Sequence, residues 1–198
     1  MLNPFSNAGL FLIQSIFDLY IFILLLRVVL QWVHTDSHNP LFVLIVKLTD
    51  PPLKPICRII PSSLFGCDLA AIVLLLGLEA IKIAFLVWLQ ADTTPHLLGL
   101  FIIAFAELLN QLINIFFYAI LALTILSWIS PLAHGPIIEI LVRISQPLLR
   151  PVRGILPRFS GFDFSPVILI IGLKLLAIIL IQPLAQIGAS LAVGNIGN

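Results

Sequence analysis

The chain has 198 residues, of which 61% are hydrophobic and only 10% are charged. About a quarter of the residues in a soluble globular domain are charged, so this composition excludes that class and indicates an integral membrane protein. The formal net charge of +1 at pH 7 gives no bias toward nucleic acid, and we expect no nucleic-acid partner.

Four apolar stretches are long enough to cross a bilayer, which takes roughly 20 apolar residues in a helix. They lie at about 8–33, 69–89, 97–129 and 166–191. No basic segment or small-residue cleavage site precedes the first stretch, so we expect it to be retained rather than removed as a signal peptide. The predicted fold class is an all-α membrane protein with four transmembrane helices.

The basic residues of the connecting loops predict the orientation of these helices. The N-terminal tail, the turn at 91–96 and the C-terminal tail contain no Lys or Arg. By the positive-inside rule, the two basic loops face the cytoplasm and both termini face the periplasm. The basic residues are Lys47, Lys54 and Arg58 in the loop at about 34–68, and Arg143, Arg150, Arg153 and Arg158 in the loop at about 130–165.

The second half of the chain repeats the first. Trp32 matches Trp128, and the proline cluster of TDPPLKPICRIIP matches that of SQPLLRPVRGILP. An internal repeat of this kind identifies the structural unit. We therefore predict two tandem repeats at 1–95 and 96–198. Each repeat contributes two spans, an even number, so the repeats have the same orientation rather than an inverted one.

Each cytoplasmic loop combines an amphipathic pattern with a proline cluster. Glu139, Arg143 and Gln146 recur at helical spacing among apolar residues, which is typical of a short interfacial helix. Proline removes a backbone N–H, so we expect the prolines to break each helix into a hairpin that lies on the bilayer or dips into it. The candidate contacts for anionic lipid headgroups or a protein partner are Lys54, Arg58, Arg150 and Arg153.

Ionisable and amide side chains within the spans form a second candidate site. An unpaired charge in hydrocarbon is unfavourable by about 2.5 kcal/mol or more, so such residues face the bundle interior and find partners. We predict that Asp18 contacts Lys82, that Glu107 contacts Lys174, and that Arg27 extends to the cytoplasmic interface. The candidate residues are Asp18, Glu79, Lys82, Glu107, Gln111, Asn114 and Lys174.

The third span carries the most polar helix face. Glu107, Gln111, Asn114 and Tyr118 recur there at helical spacing. Two interpretations are open. The face forms a hydrogen-bonded contact between helices, or it lines a cavity or an ion path, which would require an oligomer because four spans are few for a pore.

The familiar motifs of hydrolases and nucleotide-binding enzymes are missing, so we predict no catalytic residue, no cofactor and no enzymatic activity. His34 and His38 near Asp36 are only a weak metal-ligand pattern, and we predict no metal site. Cys57 and Cys67 share one loop without a metal-binding motif, and their roles stay open.

The segments RVVLQWVHTDSHNP and KLTDPPLKPICRIIP, with the second copy SQPLLRPVRGILP, resemble the YggT family over essentially the whole chain. This resemblance implies a two-copy protein of the bacterial inner membrane with no established enzymatic activity. It also implies relatives associated with osmotic stress tolerance, with cell-division and envelope gene neighbourhoods and, in plastids, with cytochrome assembly. Leu123 stands in the second copy where Arg27 stands in the first, and Gly154 stands opposite Arg58, so the copies need not be functionally equal.

Two functions are therefore open. The first is a non-enzymatic scaffold or assembly factor that engages anionic lipid and a membrane or cytoplasmic protein, and the resemblance connects it with envelope homeostasis, osmotic stress tolerance or cell division. The alternative is a small oligomeric channel or transport accessory that affects ion balance.

Overall fold

The computed structural model describes residues 4–59, 67–91, 96–130, 134–155 and 163–192. These residues are almost entirely helical. The helices are α1 (Pro4–Trp32), α2 (Pro40–Ile59), α3 (Cys67–Ala91), α4 (Leu97–Ile129), α5 (Pro136–Ile155), α6 (Ser165–Leu176) and α7 (Gln182–Ala192). A π-helical turn, Ala177–Ile181, joins α6 to α7, so the last three elements form one continuous helical segment.

Within the described residues, four helical segments are long and apolar enough to cross a membrane. Each is longer than the roughly 20 residues that the hydrocarbon layer requires. The predicted all-α class and the four predicted spans are confirmed, with closely similar ends. The segments are Asn7–Trp32, Leu69–Leu89, Leu97–Ile129 and Ser165–Ala192.

The main apolar core lies where α1, α3 and α4 meet. Leu24, Leu75 and Phe116 are buried there. The outer faces of the same helices expose large apolar side chains such as Phe11 and Phe101. Without a strong hydrophobic drive between helices in lipid, such helices associate through close packing and polar contacts, and the lipid covers their apolar outer faces.

Helices α4 and α7 approach each other closely at two glycines. A Cβ placed on Gly99 would lie 2.6 Å from the Cα of Ala192 and 2.7 Å from the carbonyl oxygen of Gly188. The backbone N–H of His96 also donates a hydrogen bond of 3.1 Å to the carbonyl of Ala192. The start of α4 therefore meets the end of α7, and small residues let the two antiparallel backbones touch.

The predicted breaks at the prolines are wrong where the structure describes the chain. Helix α2 continues through Pro51, Pro52 and Pro55, and α5 continues through Pro147 and Pro151. All of these prolines except the half-buried Pro52 are exposed. The carbonyl that each proline leaves unpaired lies four residues earlier, close to the same exposed face, where water or headgroups can hydrogen-bond it. Pro61 and Pro157 lie outside the described residues.

Both amphipathic helices dock on the same end of the bundle. Leu53 of α2 is buried against Ala70 and Ala71 of α3. Ile140 and Ile144 of α5 join the main core. The buried faces of α2 and α5 therefore belong to the folded bundle, and their opposite faces carry the exposed basic residues.

The glycine contact between α4 and α7 predicts the effect of adding one methyl group. We expect Gly99→Ala to destabilise the protein by about 1–3 kcal/mol, because backbone atoms of α7 must shift to admit the Cβ. Unfolding from mixed micelles by SDS would measure the change. Gly172→Ala is the matched control, since a Cβ there meets nothing within 4 Å. Equal stability of the two variants would contradict the close contact.

Candidate functional site

A cavity of about 860 Å³ lies between α1, α3 and α4. It gathers every intramembrane residue predicted from the sequence except Lys174. Its remaining walls are largely apolar and include Phe22, Ile83 and Ile103. The polar side chains are Gln14, Ser15 and Asp18 of α1, Glu79 and Lys82 of α3, and Glu107, Gln111, Asn114 and Tyr118 of α4.

Lys82 is the centre of the ion pairs in this cavity. Its Nζ lies 2.7 Å from Oδ1 of Asp18 and 2.5 Å from Oε1 of Glu79. The Lys82 side chain is only 8% exposed, and that of Glu79 is fully buried. The predicted contact between Asp18 and Lys82 is confirmed. The second partner, Glu79, was missed, although its position three residues before Lys82 on the same helix could have revealed it.

The polar face of α4 lines the cavity. One hydrogen bond crosses from it to α3, where Nε2 of Gln111 donates to Oε2 of Glu79 at 3.5 Å. The oxygen of the same amide, Oε1 of Gln111, is buried without a hydrogen-bond partner among the described residues. Glu107 forms no ion pair or hydrogen bond within the described parts of the chain. The face therefore combines both interpretations: Gln111 and Asn114 hydrogen-bond to neighbouring helices, while Glu107 and Tyr118 border the cavity without such a bond to any described residue.

The predicted pair of Glu107 and Lys174 is wrong. The Nζ of Lys174 instead lies 3.0 Å from Oδ1 of Asn114 and 4.2 Å from the ring centre of Phe117. Asn114 is about two turns further along α4 than Glu107. The contact of Gly99 with the end of α7 sets this register, which counting residues from the membrane surface did not include.

Arg27 holds α2 against α1. Its Nη1 donates hydrogen bonds of 2.7 Å to Oγ1 of Thr49 and 2.7 Å to Oδ1 of Asp50. Arg27 is 6% exposed, so it does not extend to the interface as predicted but is covered by α2. The hydrogen bond from Arg27 holds the pKa of the Asp50 carboxyl below its ordinary value, against the opposing effect of burial.

The second repeat replaces every member of this contact. The positions that match Arg27, Thr49 and Asp50 carry Leu123, Ser145 and Gln146. Ser145 is buried and its hydroxyl has no hydrogen-bond partner among the residues described. Only the first repeat therefore docks its amphipathic helix through a buried ion pair of this kind.

Polar contacts between the two repeats join α5 to the start of α2 and to the turn before it. Nδ2 of the buried Asn39 donates to the carbonyl of Pro136 and to Oε2 of Glu139, both at 3.1 Å. Arg143 donates a bond of 2.9 Å to the carbonyl of His34 and pairs with Glu139 at 3.0 Å. We call the two helices joined in this way the surface pair. Sequence reasoning missed this link, because neither partner stands out without the fold.

The predicted basic contacts lie along the exposed face of the surface pair. Lys54 is 70% exposed and lies 3.1 Å from Oδ2 of Asp50. Arg58 and Arg150 are exposed, and Arg150 donates a bond of 3.1 Å to Gln146. Arg153 pairs with Asp163 at 2.7 Å. The structure thus spreads these residues over two helices at one end of the bundle and does not gather them into one pocket. Arg158 lies outside the described residues.

Burial raises the pKa of the Asp163 carboxyl, but the hydrogen bonds that it accepts from Ser165 and Arg153 outweigh burial, and the pKa is lowered overall. The backbone N–H of Ser165 lies 3.0 Å from Oδ1 of Asp163. Asp163 therefore connects the end of the surface pair to the start of α6.

Metal-binding chemistry receives no support from the described side chains. They contain no group of three or more His, Cys, Asp and Glu residues that could hold a metal ion. His38 lies 3.0 Å from Asp36 in an exposed turn. Cys57 lies partly buried in α2, and the side chain of Cys67 lies outside the described residues.

Comparison with known proteins gives one matching family and several relatives of similar length. A family model described as CCB3/YggT matches residues 6–89 and again residues 102–184. The chain is 34% identical over 181 residues to an uncharacterized protein of Pseudomonas aeruginosa, covering 91% of each chain. It is 34% identical over 165 residues to the uncharacterized protein YggT of Escherichia coli K12, covering 83% of this chain and 85% of that protein. An uncharacterized protein of Vibrio alginolyticus is 33% identical over 169 residues, with 85% and 90% covered. No solved structure gives a significant match.

The buried Lys82 predicts a strong loss of stability when its charge is removed. Lys82→Met leaves Glu79 buried without a cation, and breaking a buried pair from one side destabilises by about 3–5 kcal/mol. The double variant Glu79→Gln/Lys82→Met removes the stranded charge and should recover most of that loss. Unfolding by SDS would measure both. A double variant no more stable than Lys82→Met would contradict the pairing, and Lys47→Met, at an exposed position of α2, is the control.

The contact of Arg27 with Asp50 predicts a dependence on pH. A carboxyl whose folded pKa is lowered contributes stability above its unfolded pKa, about 3.9, and that stability is lost as the pH falls through the folded pKa. We therefore expect α2 to loosen from α1 below about pH 4. Distances between spin labels on α1 and α2, measured from pH 7 to pH 3, would show it.

The carboxyl responsible can be identified by substitution. Asp50→Asn should remove the response of the α1 to α2 distance to acid. Asp36→Asn should leave the response in place, because Asp36 is exposed and pairs only with His38. An unchanged response in Asp50→Asn would assign the effect to a different group.

Proposed function

The chain belongs to the CCB3/YggT family, and we propose that it is a non-enzymatic scaffold or assembly factor of the bacterial inner membrane. The role that we propose lies in envelope homeostasis, osmotic stress tolerance or cell division. The single observation that supports it best is the surface pair. Two amphipathic helices, one from each repeat, form one polar surface at the end of the four-span bundle.

The surface pair is built as a fixed platform. Asn39 connects the start of α2 to α5, Arg143 connects α5 to the turn before α2, and Arg27 connects α2 to the first span. Each contact involves a side chain that is buried or half-buried. A rigid surface of this kind loses little entropy when it binds, which favours docking of a partner.

The basic residues support our proposal that this surface faces the cytoplasm. Lys54, Arg58, Arg150 and Arg153 lie on it, and by the positive-inside rule such residues stay in the cytoplasm. Both termini then face the periplasm. The inner leaflet supplies anionic headgroups at this level, and each basic residue contributes about 1 kcal/mol of attraction to them. The protein partner would bind the same face from the membrane or the cytoplasm.

A second function is favoured by a different observation, the polar cavity between α1, α3 and α4. Carboxylates, amides and a lysine beside open space within the spans are typical of substrate and ion paths. The second candidate is therefore a small transport accessory or channel that affects ion balance. It would act as a homo-oligomer, because four spans alone leave little room for a complete path.

The scaffold proposal predicts that the protein loses its lipid and protein partners when the basic residues of the surface pair are neutralised. We expect the variant with Lys54, Arg58, Arg150 and Arg153 changed to Gln to lose anionic lipid, with the enrichment falling about fivefold or more. The protein partner should be lost as well. Wild type and variant would be extracted in native-lipid nanodiscs, and their lipids and co-purifying proteins quantified by mass spectrometry.

The matched control is Lys174→Gln, which removes a basic charge from a span and leaves the surface pair intact. It should keep both the anionic lipid and the protein partner. Recovery of the isolated wild-type chain alone, with cation flux after reconstitution into vesicles, would overturn the scaffold proposal and favour the second candidate. Flux should then fall when Glu107 is changed to Gln.

A further inference from the structure

We propose that the cavity between α1, α3 and α4 binds an amphipathic organic cation, meaning an ammonium group carried on an apolar body. This inference does not rest on the scaffold role, because none of the residues that line the cavity belongs to the surface pair. The site would be the substrate site of the second candidate function, but binding can be measured without transport.

The charges on the cavity wall favour a cationic ligand. The carboxylates of Asp18, Glu79 and Glu107 face the cavity. Lys82 is the one basic residue among the described residues that line it. Lys82 is already engaged by Asp18 and Glu79. The ionised cavity therefore has an excess of negative charge, which is unfavourable next to hydrocarbon and attracts a cation.

Two acceptors are positioned to receive the ammonium group. Glu107 forms no ion pair or hydrogen bond with any described residue, and Lys174, the predicted partner, is directed to Asn114 instead. One turn further along α4, the amide oxygen of Gln111 is buried without a donor. A buried acceptor without a donor is unfavourable, so a ligand that donates hydrogen bonds here is stabilised.

The size and the walls of the cavity favour an organic ligand over a metal ion. Its volume of about 860 Å³ lies within the usual range of roughly 300–1,000 Å³ for pockets that hold small organic molecules. Phe22, Ile83 and Leu86 provide apolar contact. The described side chains offer no cluster of three ligands that could replace the hydration shell of a metal ion.

The cavity opens sideways toward the lipid-facing surface. Leu19, Phe22 and Tyr118 lie on its rim and are exposed, Tyr118 to 61%. A ligand would therefore enter from the bilayer. Two sources share the required chemistry, namely the ammonium headgroup of an aminophospholipid and a free amine that has partitioned into the membrane.

Binding of octylammonium to the full-length protein would test the inference. The protein would be placed in phosphatidylcholine nanodiscs, which lack a primary amine, and binding to empty nanodiscs would be subtracted. We expect saturable binding of octylammonium and none of octanol, which has the same chain without the charge. Glu107→Gln should weaken the affinity at least tenfold. Asp36→Asn, which removes a carboxylate from the exposed turn between α1 and α2, should leave the affinity unchanged.

A second variant keeps the test decisive if Glu107→Gln does not fold. Ser15→Phe fills the cavity with its charges in place and should also weaken binding at least tenfold. Competition by phosphatidylethanolamine added to the nanodiscs would assign the site to a lipid headgroup, and lack of competition would assign it to a free amine. Absence of saturable binding in the wild type, equal binding of octanol, or unchanged affinity in a folded Glu107→Gln protein would overturn the inference.

Discussion

The cost of leaving a charge unpaired near hydrocarbon determines how the helices of this protein meet. Lys82 joins α3 to Asp18 of α1, and Arg27 joins α1 to Asp50 of α2. Lys174 joins α6 to Asn114 of α4. Because lipid is as apolar as the outer helix faces, burial of Leu and Ile alone would leave the choice of neighbours weakly specified. The polar contacts determine which helices become neighbours. Each of the three helix pairs named above has one such contact.

The two repeats share the frame but not the polar contacts that hold it. The first repeat docks its amphipathic helix through Arg27, whereas the second has Leu123 at that position and docks α5 through apolar residues such as Ile140 and Leu149. The polar face of α4 has no counterpart of equal extent in α1. The family model matches the chain twice, in keeping with the predicted repeat, and both candidate sites include positions at which the two copies differ.

Sequence reasoning succeeded where one physical effect dominates. The length and apolarity of four stretches predicted the four membrane helices. The need to pair a buried charge predicted the contact between Asp18 and Lys82. It failed where two effects compete. The low helix propensity of proline predicted broken helices. The helices continue, however, because Pro51 and Pro147 lie on exposed faces. The partner of Lys174 and the link from Asn39 to α5 depend on helix register, which is set by packing between residues far apart in the chain.

Helix α1 connects the two candidate sites. Asp18 faces the cavity, and Arg27 lies under the surface pair about two and a half turns further along the same helix. An α-helix of this length without an internal proline moves nearly as a rigid body. Any movement of α1 that changes the width of the cavity therefore also displaces Arg27 relative to Thr49 and Asp50. The hydrogen bonds of Arg27 oppose such a displacement, so the first repeat constrains the cavity from the end that carries the surface pair.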